Sequence, residues 1–449
     1  MATDDMREGR RHQRRVILAS CVGSALEWYD FFIYSSAAAL VFGRLFFTNL
    51  DPAVGTLVAL ATFGVGFLSR PLGGIVFGHL GDRLGRKPIL VATLLVVGIG
   101  TALIGVLPTY ATIGIWAPIL LVCLRLVQGF GAGAEYGGAV IMLVEHAPPH
   151  RRGFWGSFAP LGVGIGMMLA SATFALVSMM PEQAFLQWGW RVPFLLSIVM
   201  VAFGIFVRAR LSETPVFEKA VISRKAKSRM PILDAIRHQP RSFLVVLGAR
   251  LAENGHGFLF PVFGLSYAVN QLGVLKSEAL VALMTGYLFQ IPAILGFSML
   301  SDKIGRRPVY IFGALFSAAI SFPFFAMLET NSFFWLVMAF VLTSGVGTAA
   351  MFGTQAAYFA ELFGPSRRFS GFAFARELGS IIAGGPAPAV SAALVAWASG
   401  ASWPVALYAI VLGLLTAVAV WFGPETYRSD ITADERAPTG FARVALRPA

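Results

Sequence analysis

Apolar residues in this chain come in long unbroken runs, without the alternation of a half-buried strand. Twelve runs can be marked, at roughly 16–42, 53–79, 88–107, 112–144, 153–178, 190–207, 242–270, 277–300, 308–328, 332–360, 368–397 and 403–422. Stretches such as VILASCVGSALEWYDFFIYSSAAALVF (16–42) and VALYAIVLGLLTAVAVWF (405–422) match the ~18–20 residues a helix needs to cross hydrocarbon. A membrane barrel would instead show short alternating segments. The pattern predicts an all-α polytopic membrane protein with twelve transmembrane helices. The polar positions divide it into a tail (1–15), a six-helix bundle (16–207), a linker (208–241), a second six-helix bundle (242–422) and a second tail (423–449).

Between the apolar runs, charge is written twice. LGDRLGRKP (80–88) follows run 2, and LSDKIGRRP (300–308) follows run 8, 220 residues later. EHAPPHRRG (145–153) closes run 4 and ELFGPSRRF (361–369) closes run 10, each a Glu followed by an Arg pair. Two unrelated motifs repeating at nearly one spacing imply an internal duplication. Transporters are commonly built from such halves, with the substrate site between them. The repeated charges are expected to form a cytoplasmic gate. Its members would be Asp82, Arg83, Arg86, Glu145 and Arg151 in the first half, and Asp302, Arg306, Glu361 and Arg367 in the second. Gly81 and Gly85 would permit the tight turn. Glu145 and Glu361 would meet Arg86 and Arg306, or their own downstream Arg pairs.

Composition agrees with the pattern: 57% of residues are hydrophobic and 13% charged, against about 25% charged in soluble domains. A net charge of +12 can mark a nucleic-acid binder, but its distribution here argues otherwise. Of 35 Lys and Arg, 28 fall on the side that would hold both termini, three on the other side, and Arg70, Arg125, Arg250 and Arg376 within spans. The positive-inside rule then places both termini in the cytoplasm of a multi-pass cell-membrane protein. No nucleic-acid partner is expected. Cys21 and Cys123 both lie in membrane runs, so neither a disulfide nor a metal site is expected. The first run is too long for a cleavable leader and carries Glu27 and Asp30, so it reads as a retained helix.

Ionisable residues inside a span need a partner or a cavity. Glu27, Asp30, Arg125, Glu135, Arg250, Glu253, His256, Arg376 and Glu377 qualify. Subtracting the 220 offset from Arg250 gives position 30, so the duplicated halves place a base and an acid at matching points. Arg250 and Arg376 are candidate carboxylate contacts, because a guanidinium holds a carboxylate bidentately. Gln128 and Gln290 can hydrogen-bond hydroxyls. Trp28 and Tyr29 flank the acids and can stack on a ring or cage an ammonium. GFGAGAEYGGA lacks a Lys-Ser/Thr ending and a preceding strand, so it is not a nucleotide loop. GVGIG (162–166) is better explained by close helix packing. No motif for ATP, zinc, flavin or a nucleophile triad is present, so no cofactor and no enzyme activity are expected.

GHLGDRLGRKP resembles the loop 2–3 motif of the major facilitator superfamily, and SDKIGRRP its second-half copy. EWYDFFIY (27–34), FLSRPLGGIVFGHLGDRLGRKP (67–88), LRLVQGFGAGAEYGGA (124–139), EHAPPHRRG and WGWRVPFL (188–195) are similar to the metabolite:proton symporter family. DPAVGTLVALATFGVGFLSRPLGG and ATIGIWAPILLV look most like shikimate transporters. One departure lies in span 4, where Ala134-Glu135-Tyr136-Gly137-Gly138 stands in place of the usual Gly-Glu-Trp-Gly-Gly. The resemblance implies the major facilitator fold, with Asp30 as proton acceptor and Arg125 as its partner. It makes Glu135 a coupling residue, with Glu27 grouped beside them. Protonation of Asp30 would free Arg125 for a substrate carboxylate. The expected activity is proton-coupled import of a small, shikimate-like hydroxy-carboxylate by a monomer in the bilayer. A zwitterion carrier for betaine or proline, a dicarboxylate or oxoacid carrier, and a drug:proton exporter are the alternatives.

Overall fold

The computed structural model describes residues 2–84, 86–133, 135–145, 147–209, 236–365 and 368–431. They form twelve helical rods: α1 (2–46), α2 (Pro52–Leu84), α3 (Arg86–Val106), α4 (116–145), α5 (149–178), α6 (Val192–Ala209), α7 (240–270), α8 (Lys276–Ile304), α9 (306–329), α10 (333–361), α11 (368–397) and α12 (Trp403–Trp421). No strand occurs among the described residues.

Eight rods are long and apolar enough to cross a membrane on their own, and α9 makes a ninth when its two parts, bent by 42° about Ile320, are joined. The remaining three are α3, whose apolar part is Val91–Val106, and α1 and α7, which carry buried charges. Most of the linker (210–235) and most of the second tail lie outside the described residues.

Backbone irregularities repeat with the sequence. A π-helical turn interrupts α1 at Ala38–Phe42 and α7 at Leu259–Phe263. Pro71 sits within α2 and Pro292 within α8. Both spacings lie close to the 220 residues between the charged turns. Each proline removes a helical N–H at the matching point of its half.

Glycine sets how closely the rods approach. A Cβ on Gly133 of α4 would stand 2.0 Å from the Arg70 carbonyl oxygen of α2. On Gly66 of α2 it would stand 2.6 Å from Nε of Arg125. These contacts press α2 onto α4 and hold two arginines between them. The first six rods meet the last six chiefly through α5 against α8 and α2 against α11. The α8–α9 turn depends on Gly305, whose φ of +112° leaves no room for a side chain beside Glu425.

Candidate transport site

In the middle of the bundle, charged side chains from both sets of six rods join in one buried network. Arg70 Nη2 donates to Glu27 Oε1 of α1 at 2.7 Å, and its Nε lies 3.3 Å from Glu377 Oε2 of α11. Glu377 Oε1 in turn accepts from Arg376 Nη1 at 2.5 Å. The Arg376 guanidinium lies 3.9 Å from the ring centroid of Tyr136 on α4. Beside this chain, Arg250 of α7 pairs with Glu253, and its Nη2 donates to the Ser380 hydroxyl at 2.7 Å. Gln355 of α10 bridges Arg250 and Glu253. Three guanidiniums thus balance three carboxylates, all buried. The balance is what allows them to sit there, since an unpaired charge in hydrocarbon would be expelled or neutralised.

Arg250 and Arg376, the candidate carboxylate contacts, each already hold a glutamate, three residues on and next door respectively, while the Nε–H of each has no hydrogen-bond partner. The direct pair expected between Asp30 and Arg125 is also absent. Arg125 instead donates to Gln128 Oε1 at 3.1 Å and to the Phe63 carbonyl at 3.2–3.3 Å. Its guanidinium stacks 3.9 Å from the Phe31 centroid and 4.2 Å from that of Tyr34. The aromatic faces and the α2 carbonyl do the work assigned to Asp30. Gln128 Nε2 donates to Thr101 Oγ1 at 2.6 Å, and that hydroxyl donates to the Val97 carbonyl at 2.8 Å. Asp30 Oδ1 has no hydrogen-bond partner.

Other residues divide between the site and its walls. Trp28 stacks on Phe258 of α7 at 6.1 Å and 9°, within an aromatic layer that includes Phe31, Phe32, Phe63 and Phe67. Tyr29 donates to the Pro193 carbonyl of α6 at 3.0 Å and is a packing residue. Gln290 of α8 is buried, with Oε1 unpartnered, on the side facing Gly164 of α5. Glu135 falls where side chains lie outside the described residues, as do Asp82, Arg83, Arg86 and Arg367. Arg70, Glu377, Tyr136, Gln355, Ser380 and Thr101 were not singled out as site residues by sequence reasoning. The available signal for Arg70 was an arginine in the middle of an apolar run.

The end of the bundle bearing the charged turns is bridged between the two sets of rods. Asp302 accepts the backbone N–H groups of Gly153 and Phe154 at 2.8 and 2.9 Å, at the start of α5's first full turn. It also pairs with Arg306 at 2.7 Å, and Arg306 reaches Glu361 at 3.1 Å. Glu145 pairs with Arg368 across the halves at 2.6 Å, not with an arginine of its own motif. Arg151 is exposed, and its neighbour Arg152 makes the crossing contact instead, to the Ser429 carbonyl at 2.7 Å.

At the opposite end, Glu182 takes Lys276 of α8 at 2.7 Å and Arg44 at 2.6 Å, and Asn270 donates to the Ala39 carbonyl at 3.0 Å. Contacts between the two sets of rods thus occur at both ends. The Lys276 hydrogen bond, aided by Arg44, holds the Glu182 carboxyl below its ordinary range. A depressed carboxyl contributes above its ordinary value and loses that contribution as pH falls through the lowered one. Acidifying the solution at this end below about pH 4 is therefore expected to loosen it in wild type and not in Glu182→Gln. Distances between spin labels across that end measure it. Exposed pairs are worth about 0–1 kcal/mol, so the shift is a few-fold. Identical pH responses in the two proteins would remove Glu182 from the latch.

Twelve rods, bridged at both ends and sharing a buried and charge-balanced network between two sets of six, are the arrangement of a membrane transporter. Residues 16–241 match the family model for sugar (and other) transporters, and residues 245–448 match that of the major facilitator superfamily. The chain is 42% identical to the shikimate transporter of Escherichia coli (strain K12), over 93% of this chain and 95% of that one. It is 36% identical to the proline/betaine transporter of Salmonella typhimurium (strain LT2), over 91% and 83%. A solved structure of the E. coli xylose transporter XylE, partially occluded and inward open, superposes with a TM-score of 0.70 at 18% identity, covering 93% of this chain and 99% of that one. The chain belongs to the major facilitator superfamily; it is a multi-pass membrane transporter, not an enzyme.

Proposed function

We propose that the protein is a proton-coupled symporter importing a small hydroxylated organic acid of the shikimate type. The observation that carries this reading is the balance of three arginines against three glutamates at the junction of the two halves. A substrate carboxylate entering a neutral, dry network adds one negative charge. A proton arriving with it restores neutrality, so electrostatics itself supports symport. Asp30 carries that proton: it is buried, ion-paired to nothing among the described residues, and its Oδ1 has no hydrogen-bond partner. The similarity to a shikimate transporter supports a hydroxy-carboxylate as cargo. The charged-turn end faces the cytoplasm, as the 28-to-3 division of basic residues supports. Rods α1–α6 rock against α7–α12 about the network, and one chain holds the whole site.

The test is uptake of labelled shikimate into vesicles holding the purified protein, with and without an inward proton gradient. Wild type should accumulate it only with the gradient. Asp30→Asn should lose accumulation, by about 100-fold on the scale typical of a missing proton-transfer group, while exchange of internal for external substrate survives. Accumulation with no gradient would sink the symport reading. A zwitterion such as betaine is the second reading, favoured by the aromatic layer of Trp28, Phe32, Phe258 and Tyr287. Under it, betaine and not shikimate would be accumulated.

A further inference from the structure

Near the middle of α4, Gly133 touches the α2 backbone at Arg70. Tyr136, in the part of α4 that runs from Glu135, is only 2% exposed. Its ring carries the Arg376 guanidinium, and its charged neighbours are Arg376, Glu253, Arg250 and Glu27. The hydroxyl itself has no hydrogen-bond partner. Nor do the Nε–H groups of Arg250 and Arg376. The Tyr136 hydroxyl and the Nε–H groups of Arg70, Arg250 and Arg376 are thus all left without a hydrogen bond in this buried network, and of these guanidiniums it is Arg376 that lies on the tyrosine ring. Buried polar groups are nearly always satisfied, and a set left open in a transporter's central network is complementary to a ligand.

We propose that Tyr136 is a specificity-determining residue that reads a hydroxyl of the substrate. The Nε–H groups of Arg250 and Arg376 donate to the carboxylate, and the Tyr136 oxygen exchanges a hydrogen bond with a ring hydroxyl. The inference rests on the carboxylate reading above and adds to it the chemistry of the second contact point. An acid lacking that hydroxyl leaves the tyrosine unpaired in the closed site, so the site rejects it. The phenol ring has a separate duty, because Arg376 lies on it.

These two duties can be separated in reconstituted vesicles by measuring uptake of shikimate and of cyclohex-1-ene-1-carboxylate, which has the carboxylate and ring but no hydroxyl. Wild type should favour shikimate. Tyr136→Phe keeps the ring and should raise KM for shikimate by about tenfold, the scale of one neutral hydrogen bond, while KM for the deoxy acid falls because no hydroxyl is left unpaired. Tyr136→Leu removes the ring as well and should weaken both acids together. Unchanged selectivity in Tyr136→Phe would overturn the role of Tyr136 and leave carboxylate transport standing. A wild type that carries neither acid would overturn the carboxylate reading and this inference with it.

Discussion

Arg70→Met is expected to destabilise the protein by about 3–5 kcal/mol, the scale of breaking a buried ion pair from one side. Arg70 is 1% exposed and is the link between Glu27 and Glu377. Its loss takes the guanidinium away from both Glu27 and Glu377 and leaves Glu377 with Arg376. The cost is that of the stranded charges more than of the lost contacts, which gives the prediction a second arm. Arg70→Met combined with Glu27→Gln removes a charge of each sign and should recover most of the stability. A double-mutant cycle on Arg70 and Glu377, followed by denaturant unfolding in micelles, reads the coupling directly. A loss below about 1 kcal/mol in the single variant would mean the network is not closed in the folded protein.

Recovered stability should not bring recovered transport. Glu27 and Arg70 belong to α1 and α2, while Glu377 belongs to α11, so the Arg70–Glu377 contact spans the two halves at the level of the site. In a rocking mechanism it must break and reform in each cycle. The same is true of the Asp302 contacts to the start of α5 and of Glu145 with Arg368. Ion pairs suit this use: they hold a state firmly when dry, and water or a competing carboxylate releases them.

Helix number and site chemistry were unequally legible in the sequence. Twelve apolar runs stand out because each rod must present hydrocarbon on its outer face, and the rods follow them closely, even α1 and α7 with their charges. The duplication was readable too, since the charged turns repeat at a spacing that Pro71 and Pro292 share. The pairing of charges was not. Glu145 has an arginine pair six residues on, yet it reaches Arg368 of the other half, because the chain turns those arginines toward the second half. Arg125 looked destined for Asp30. It is held instead by a backbone carbonyl that α2 brings close through Gly66, and by rings that local sequence cannot place. Partner choice among buried charges is set by which backbones touch, and that is a tertiary fact.

Close contact between α2 and α11 should be the step most easily blocked. A Cβ on Gly64 of α2 would stand 2.7 Å from the carbonyl oxygen of Gly385 on α11. These residues lie on the far side of the network from the charged turns, since α2 runs from Gly64 toward Arg70 and then to the turn at Leu84. Backbone faces backbone here, so no flexible side chain can yield, and the rods themselves must separate. Gly64→Ala is expected to cost the closed state about 1–3 kcal/mol, the usual price of overpacking. Gly64→Trp should exceed the ~5.5 kcal/mol that swings an equilibrium from 99:1 to 1:99, and so hold that end open. Uptake should then fall by at least about 100-fold by the same arithmetic, with substrate still binding from the open side. Two readouts separate this from simple misfolding. Shikimate should still raise the melting temperature of Gly64→Trp. Spin labels at Asp51→Cys and Thr330→Cys, with Cys21 and Cys123 replaced, should report a longer distance than in the unblocked protein. An unaltered distance with uptake intact would show that the α2–α11 approach is not part of the cycle, and the rocking axis would have to be sought at α5 and α8.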